Sequence, residues 1–337
     1  MAMATLTIAG CSQNEIVETA QPGNEAVGFS VYSGVHTRAA VTDYAAIKDV
    51  AAGFGVVAIS SASGNPLHMK DTHVTYSGSS WGYTPAVYWP TEGSSLSFYA
   101  FAPYNGAGIS KGASSADFES TTAPSVTLTL QAPKKMVDLV AAKAEGKTSE
   151  DGAVSLKFAH VLSRVALKAH TSVDDASTTV KVTGLKILGA TSNNTSSLLY
   201  SEAKYNIKTD AWDLLGGTKQ GDDWTIIADG ESEDTYPAIA VTNTAASILG
   251  ENEYLFLIPV GSGDAPDAIK MELTYTVTTG GITTTTTKTL SFTSGSGFLQ
   301  KGTAYAIDFE ITLNAISFTV DETGWDWDSE STVTPAS

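Results

Sequence analysis

The chain has 337 residues, of which 42% are hydrophobic and 9% aromatic, so it can bury a real interior and is not a disordered chain. At roughly 150 residues per domain, this length predicts about two domains. The 19 Lys and Arg residues against 36 Asp and Glu residues give a net charge of -17. That charge repels phosphate backbones and anionic headgroups, which argues against nucleic-acid or basic-patch membrane binding. Thirty glycines and many Val- and Thr-rich runs indicate an all-β fold.

The single cysteine lies near the start of the chain. Cys11 follows the apolar run Leu6-Thr7-Ile8-Ala9-Gly10 and precedes polar residues, which resembles the lipobox where bacterial lipoprotein precursors are cut and acylated. No Lys or Arg precedes it, so we predict that residues 1–25 are a signal remnant with its lipobox, followed by a tether. The alternative is an ordinary cysteine beside small residues. A lone cysteine excludes an intrachain disulfide and a cysteine metal cluster.

Strand patterns fill the predicted N-terminal domain, residues 26–150. The first strand is expected from Ala26 to Val35, followed by a polar exit at His36-Thr37-Arg38 and a short helical piece from Asp43 to Val50. Further strands are predicted at residues 55–59, 86–89, 96–102, 126–130 and 138–144. The even-numbered and the odd-numbered positions of residues 96–102 are both largely apolar, so we expect that strand to be buried on both of its faces in the middle of a sandwich.

A polar stretch from Glu145 to Gly152 is the predicted domain boundary, and residues 151–337 form the predicted C-terminal β-sandwich domain. Apolar residues change parity around His160 to Ser163, which predicts a bulge or bend there. Strands are also expected at residues 180–182, 185–187 and 254–259. The cleanest alternation, residues 269–278, leads through Gly280-Gly281, which predicts a hairpin turn into a Thr-rich strand.

The chain ends in two alternating segments, residues 305–313 and 316–320, which meet at Asn314-Ala315. An acidic and aromatic tip, Trp325-Asp326-Trp327-Asp328, follows them. A terminal strand of this kind can pair with its own sheet or add to the sheet of another molecule.

Motifs for catalysis or metal binding are weak. Gly108-Ile109-Ser110-Lys111-Gly112 matches the nucleophile elbow, but neither the required strand before it nor the helix after it is evident, so we interpret it as a loop. His68 and His73 are interpreted as loop histidines, with a metal pair as the minor alternative. The acidic tip lacks the turn glycine of a calcium loop. We therefore predict no enzyme, no metal and no cofactor, with an enzyme using Ser110 as the third-ranked hypothesis.

Aromatic residues offer one competing function. Trp81, Trp89 and Trp212 could form a sugar-stacking platform if they were exposed on one face. The simpler interpretation is that they cap the cores. A surface glycan-binding lipoprotein is therefore the alternative to the function given next.

Six segments in order resemble the fimbrillin family, the lipoprotein-derived subunits of type V pili in Gram-negative gut and oral bacteria. They are Ile8 to Cys11, Thr37 to Ala39, Leu96 to Pro103, Asp138 to Ala142, Phe158 to Val165, and Ala315 to Trp325. The resemblance covers nearly the whole chain. It implies two tandem transthyretin-like β-sandwich domains with Greek-key-type connections.

The resemblance also implies a mechanism of assembly. It implies a lipid anchor in the outer membrane before processing, proteolytic removal of the N-terminal segment with its first strand, and filling of the resulting groove by another subunit's C-terminal strand. The protein's expected partners are then other fimbrial subunits and a host or bacterial surface ligand. Its expected location is the cell outer membrane and the extracellular fimbrium. Cys11 would carry the lipid, the chain would be cut between Arg38 and Ala39, and the donor strand would contain Ala315, Ile316, Phe318 and Val320. The chain has two arginines, and Arg164 lies in an apolar strand pattern, whereas Arg38 lies in a polar connection where cleavage is easiest.

Overall fold

The structure is a computed structural model that describes residues 25–33, 52–90, 93–192, 199–230, 232–260, 269–291, 299–313 and 315–324. The first eleven strands, in chain order, are β1 Phe29–Ser33, β2 Phe54–Ser60, β3 Leu67–Tyr76, β4 Trp81–Gly82, β5 Leu96–Ala102, β6 Ile109–Ser110, β7 Ser125–Thr129, β8 Val140–Lys147, β9 Val154–His160, β10 Ser163–Thr171 and β11 Thr178–Ile187. The other eleven are β12 Tyr200–Asn206, β13 Ala211–Lys219, β14 Trp224–Ala228, β15 Tyr236–Pro237, β16 Ile239–Val241, β17 Ala246–Ser247, β18 Leu255–Leu257, β19 Lys270–Thr279, β20 Ile282–Ser291, β21 Thr303–Ile311 and β22 Ile316–Gly324.

Helical structure in these ranges consists of three short 3-10 turns, Ala113–Ser115, Pro133–Lys135 and Ser149–Asp151. The prediction of an all-β chain is confirmed. Within the described ranges, no helix has the length and apolarity that a membrane crossing requires.

Seven strands form the first sheet, in the order β1-β9-β8-β5-β2-β3-β4. Its two faces contribute to different cores, because alternate side chains of a strand point to opposite sides. In β5, Phe98 and Ala100 belong to one core, whereas Tyr99 and Phe101 belong to another that includes residues of the four-stranded sheet β13-β12-β7-β6. The strand predicted at residues 96–102 is therefore buried on both faces, as expected.

The remaining strands form two sheets that share a third core. One sheet has the order β17-β10-β21-β22, with β18 also paired to β10. The other has the order β15-β14-β11-β19-β20, with β16 also paired to β11. Val165 and Phe309, from the sheet that contains β10, cluster with Val182 and Tyr275, from the sheet that contains β11.

The predicted bend near His160 is the crossing between the two halves of the molecule. β9 ends at His160 in the first sheet, and β10 begins at Ser163 in another. Two buried residues, Val161 and Leu162, connect them. The parity switch therefore has a physical reason: the chain changes sheets.

The hydrogen-bonded sheets do not divide at residue 150, where the domain boundary was predicted, and that boundary stays a prediction. β9 follows that position yet lies between β8 and β1 in the first sheet. The hairpin β12–β13 also follows it, and β12 pairs with β7 from Glu202↔Thr129 to Asn206↔Ser125. Residues on both sides of position 150 thus complete the same sheets.

Candidate strand-exchange site

The first described segment, residues 25–33, is hydrogen-bonded to two other segments: β1 lies at the edge of its sheet beside β9, and residues 25–27 lie beside residues 87–89. On one side β1 runs parallel to β9, with five pairs from Phe29↔Val154 to Ser33↔Phe158. On the other side the backbone N–H of Val27 donates to the carbonyl of Val87 (2.8 Å), and that of Trp89 donates to Glu25 (3.0 Å). The first segment of the chain therefore lies between two other segments, where it supplies hydrogen-bond partners to both.

Tyr83 joins these two backbones. Its Oη lies 2.7 Å from the carbonyl oxygen of Val27 and 3.2 Å from that of Val87, so one phenolic proton is shared between the segments. Burial raises the pKa of the Tyr83 hydroxyl. The phenol therefore stays protonated and keeps its role as a donor at physiological pH.

The side chains of this segment belong to a hydrophobic core. Val27, Phe29 and Val31 have exposed fractions of only 2%, 7% and 2%. The Phe29 ring contacts Phe54 and Phe98 edge-on, with centroid distances of 5.7 and 5.8 Å. Burying each such side chain contributes about 1.5–3 kcal/mol, so this segment is an integral part of the core.

β22, which contains the candidate donor residues, lies on its own sheet. It pairs antiparallel with β21 over nine positions, from Ile311↔Ile316 to Thr303↔Gly324. Ile316, Phe318 and Val320 pack half-buried against the C-terminal core, and Ala315 is exposed in the turn before the strand. That turn is closed by the Thr312 N–H, which donates to the Ala315 carbonyl (2.9 Å).

The two segments have the same apolar pattern. Residues 27–31 read Val-Gly-Phe-Ser-Val, and residues 316–320 read Ile-Ser-Phe-Thr-Val. A β-branched residue, a Phe and a Val thus recur at identical two-residue spacing. A larger residue than Gly28 also fits at this position, because a Cβ there would lie 3.7 Å from the Cβ of Ala153, an ordinary contact distance.

The directions of the strands also match. β1 runs parallel to β9, which ends at the crossing between the two halves, so both strands point toward that crossing. β10 starts from the crossing and β21 runs parallel to β10, so β21 ends at the far end of the C-terminal sheets. If β22 swung out from the turn at residues 312–315, it would continue away from its own molecule. A strand in the position of β1 runs parallel to β9.

The other predicted site residues fall outside the described residues. Cys11, Arg38 and Ala39 lie there, as does the helical piece predicted at residues 43–50. Arg38 follows the end of β1, Ser33, by five residues in the sequence. The second arginine, Arg164, lies half-buried in β10 with its guanidinium over the Tyr254 ring, 4.5 Å from the centroid.

Sequence reasoning did not assign the second wall of this site. Residues 86–89 were predicted only as a strand, of which the structure has one bridge, Ala26↔Tyr88, and Trp89 only as a ring that caps a core. The available signal was the alternation of Val87, exposed Tyr88 and buried Trp89. Nothing in that pattern shows which segment pairs with it.

Trp81, Trp89 and Trp212 do not form an exposed platform. Trp89 is 3% exposed, and Trp81 packs against the same core. Trp212 packs against the neighbouring core, and its indole N–H donates to the carbonyl of Val161 at 2.7 Å. These contacts give the rings structural roles and remove the observation on which the glycan-binding alternative depended.

The candidate catalytic and metal-binding residues lie in strands. His68 and His73, interpreted as loop residues, lie in the ten-residue strand β3, which corrects that interpretation. Ser110 lies exposed in the two-residue strand β6, next to a 3-10 turn of three residues. Among the described residues, no group of three His, Cys, Asp or Glu side chains could hold a metal ion.

Comparison with known proteins gives consistent similarities. The chain is 32% identical to the fimbrium subunit Fim1C of Phocaeicola vulgatus, over 99% of this chain and 97% of that protein. Its fold is similar to the crystal structure of a fimbrial protein from Bacteroides vulgatus, with a TM-score of 0.69, 24% identity, and coverage of 89% of this chain and 99% of the other. The model of the fimbrillin-like family matches residues 37–325. Because that match spans most of the 337 residues, the protein belongs to the fimbrillin-like family.

Proposed function

We propose that this protein is a structural subunit of a cell-surface fimbria that supports adhesion, and that its subunits join by donor-strand exchange. The observation that carries the proposal is the shared pattern of residues 27–31 and 316–320. The first set is buried in a core, and the second set lies half-buried on an edge. A donor strand that replaced β1 would bury its three apolar side chains more completely than its own sheet does.

Cleavage between Arg38 and Ala39 is the proposed trigger. Removal of residues 1–38 would take away Val27, Phe29 and Val31 and leave the edges of β9 and of residues 87–89 without partners. Unpaired backbone groups and bare apolar surface are both costly in water. Before cleavage the groove is occupied by the subunit's own strand, so assembly is blocked.

The donor must also leave its own sheet, which costs nine backbone pairs on β21. The acceptor offers five pairs on β9 and two backbone hydrogen bonds with residues 87–89, so the lost pairing is replaced in part. The compensating gain is the added burial of Ile316, Phe318 and Val320. This added burial favours the assembled polymer over the free subunit.

The experiment is limited digestion with an Arg-specific protease, followed by size analysis and electron microscopy. Wild-type protein should be cut after Arg38 and form polymers, whereas the Arg38→Ala variant should stay monomeric. A chain truncated after Leu313 should be cut normally but not polymerise. Polymers from that truncated chain, or a first cut at another position, would contradict strand exchange.

We also propose that Cys11 is acylated, which would hold the precursor at the outer membrane before processing. Two acyl chains, or one chain with a second signal, anchor a folded domain stably. The test is metabolic labelling of the full-length precursor with a palmitate analogue. Cys11→Ser should lose the label, and equal labelling of that variant would exclude this anchor.

A further inference from the structure

The outer strand of the six-stranded sheet, β20, is long, regular and exposed. It pairs with β19 over ten positions, from Thr279↔Ile282 to Lys270↔Ser291, without a register shift. Along it, Leu290 is the one buried residue and Thr286 is half-buried, while the other eight are exposed. No described strand pairs with its second edge. β20 therefore presents free backbone groups with little core beneath it.

The other edge strands in the described part of the chain are shorter, irregular or charged. β1, at the edge beside β9, has five residues. β4, β6, β15 and β17 have two residues each. β13 has two irregularities in its register with β12. β22 carries two carboxylate residues, Asp321 and Glu322. Short length, bulges and charges are the usual means by which edges avoid pairing. β20 has no bulge, no proline and one charge, Lys288, near its end.

We propose that β20 is a lateral contact between two copies of this chain, which pair antiparallel through their β20 edges. The sequence of the strand is self-complementary, because Thr283 to Thr287 are five consecutive threonines. A two-fold axis at Thr285 places Thr opposite Thr at all five positions and Lys288 opposite Ile282. Such an isologous contact uses the same patch on both copies.

The backbone of β20 allows this register. Gly280 and Gly281 have φ values of 58° and 82°, as a two-residue type I′ turn requires. In such a hairpin the flanking pair, here Thr279 and Ile282, is hydrogen-bonded, and bonded pairs then alternate. The backbone N–H and C=O groups therefore point away from β19, toward the free edge, at residues 283, 285, 287 and 289. Rotation about Thr285 brings outward-facing residues opposite outward-facing residues.

The threonine side chains already form this kind of contact within the sheet. Hydroxyl oxygens of Thr278 and Thr283 lie 2.8 Å apart, and those of Thr274 and Thr287 lie 3.0 Å apart. Cross-strand Thr pairs stabilise neighbouring strands. A second copy would continue the same ladder across its own edge.

Charge favours this edge over the rest of the surface. The chain has a net charge of -17, so two copies repel each other in general, but residues 282–291 contain no carboxylate. Added salt screens the general repulsion and leaves backbone pairing intact. Association through β20 should therefore strengthen with ionic strength, whereas an ion-paired contact would weaken.

The test uses the full, uncleaved chain, so its outcome is independent of strand exchange. Sedimentation equilibrium should show a reversible dimer in wild type. Thr285→Lys places like charges opposite each other and should weaken the dimer about fivefold or more. Thr276→Lys is the matched control, since Thr276 lies on the same face opposite Thr285 but one strand inward; it should change the dimer constant less than about twofold.

A second readout is disulfide trapping in a Cys11→Ser background. Thr285→Cys should form an intermolecular disulfide much faster than Thr276→Cys. Equal rates for the two variants, equal effects of the two lysine substitutions, or a wild-type protein that stays monomeric at high concentration and high salt would overturn the proposal.

Discussion

At the scale of single residues, Asp223 makes the stability of the C-terminal sheets depend on pH. Its carboxylate accepts from the Lys186 ammonium at 2.9 Å and from the Gly189 N–H at 3.1 Å, and Lys186 also contacts Glu272 at 2.9 Å. Burial alone would raise the pKa of Asp223, but hydrogen bonds from Lys186, Ser192 and Gly189 outweigh it and hold the pKa below its usual value. The unfolded chain therefore binds a proton more readily than the folded one.

We predict that Asp223→Asn lowers the free energy of unfolding at pH 7 by roughly 0.5–1 kcal/mol. The stabilisation from a lowered carboxyl pKa is present above about pH 4 and is lost as the pH falls through the folded pKa. The difference between wild type and variant should therefore shrink between pH 5 and pH 2, as measured by urea denaturation. Asp222→Asn, at an exposed neighbour without a described ion pair, is the control. A difference that stays constant with pH would contradict this assignment.

At the scale of elements, β1 and β22 have matching side chains but different burial, and this predicts that equivalent substitutions destabilise the uncleaved subunit to different extents. Phe29→Ala in the uncleaved subunit should cost about 3–5 kcal/mol, because the ring is fully packed. Phe318→Ala should cost about half as much, because its ring is half-buried on an edge. Chemical denaturation of both variants measures these values.

After cleavage the order should reverse. Residue 29 is then absent from the subunit, so Phe29→Ala should leave polymerisation of the cleaved protein unchanged. Phe318→Ala should slow or abolish it, because the donor loses its largest side chain. Light scattering after protease treatment measures the rate. Equal polymerisation of both variants would mean that residue 318 is not part of the donor.

Sequence patterns revealed the elements with a simple apolar pattern. β19, β21 and β22 have a two-residue period, Gly280-Gly281 marks the turn into β20, and β5 is apolar at both its even and its odd positions. β3 was missed because bulges opposite Val56 and Ala58 break its period, so that its buried residues, Met69 and Val74, are five positions apart. The hairpin β12–β13 was missed because β13 is a mostly exposed edge with irregular pairing.

The candidate site was only half predictable for a related reason. Local alternation identifies a strand but not its partner, and β1 pairs with β9 across more than a hundred residues of chain. The match between residues 27–31 and 316–320 is visible in the sequence, yet it gains meaning only when the first set is seen in a closed core. Tyr83 and Val87 acquire their role solely from that pairing.

At the scale of the whole molecule, we predict that a cut at the proposed domain boundary will not separate the halves. A specific protease site inserted after Glu150 would cut the exposed 3-10 turn Ser149–Asp151, between β8 and β9. The fragments should stay together in size-exclusion chromatography without denaturant, because β9 and β12 remain paired to strands on the other side of the cut. The uncut protein is the control. Two folded fragments that elute separately would establish independent domains.

The last prediction concerns register within the polymer. If Phe318 takes the place of Phe29, then Thr319 takes the place of Ser30, which pairs with Ser155 of β9. Both Thr319 and Ser155 are exposed, so their side chains would lie side by side on the outer face of the acceptor sheet. Adjacent strands lie about 4.8 Å apart, and Cα atoms at roughly 4.4–6.8 Å can be bridged by a disulfide.

In a Cys11→Ser background, we expect Thr319→Cys with Ser155→Cys to give a ladder of covalently linked subunits after cleavage at Arg38 and mild oxidation. Thr319→Cys with Lys157→Cys is the matched control, since Lys157 lies on the same face but two residues further along β9 and pairs with Tyr32. It should link more slowly, because the two cysteines would be offset by about 6.6 Å along the strands. Before cleavage neither pair should link, because Ser30 occupies the place beside Ser155. A faster reaction of the Lys157 pair would shift the register by two residues, and linkage before cleavage would show that residues 155 and 319 meet without strand exchange.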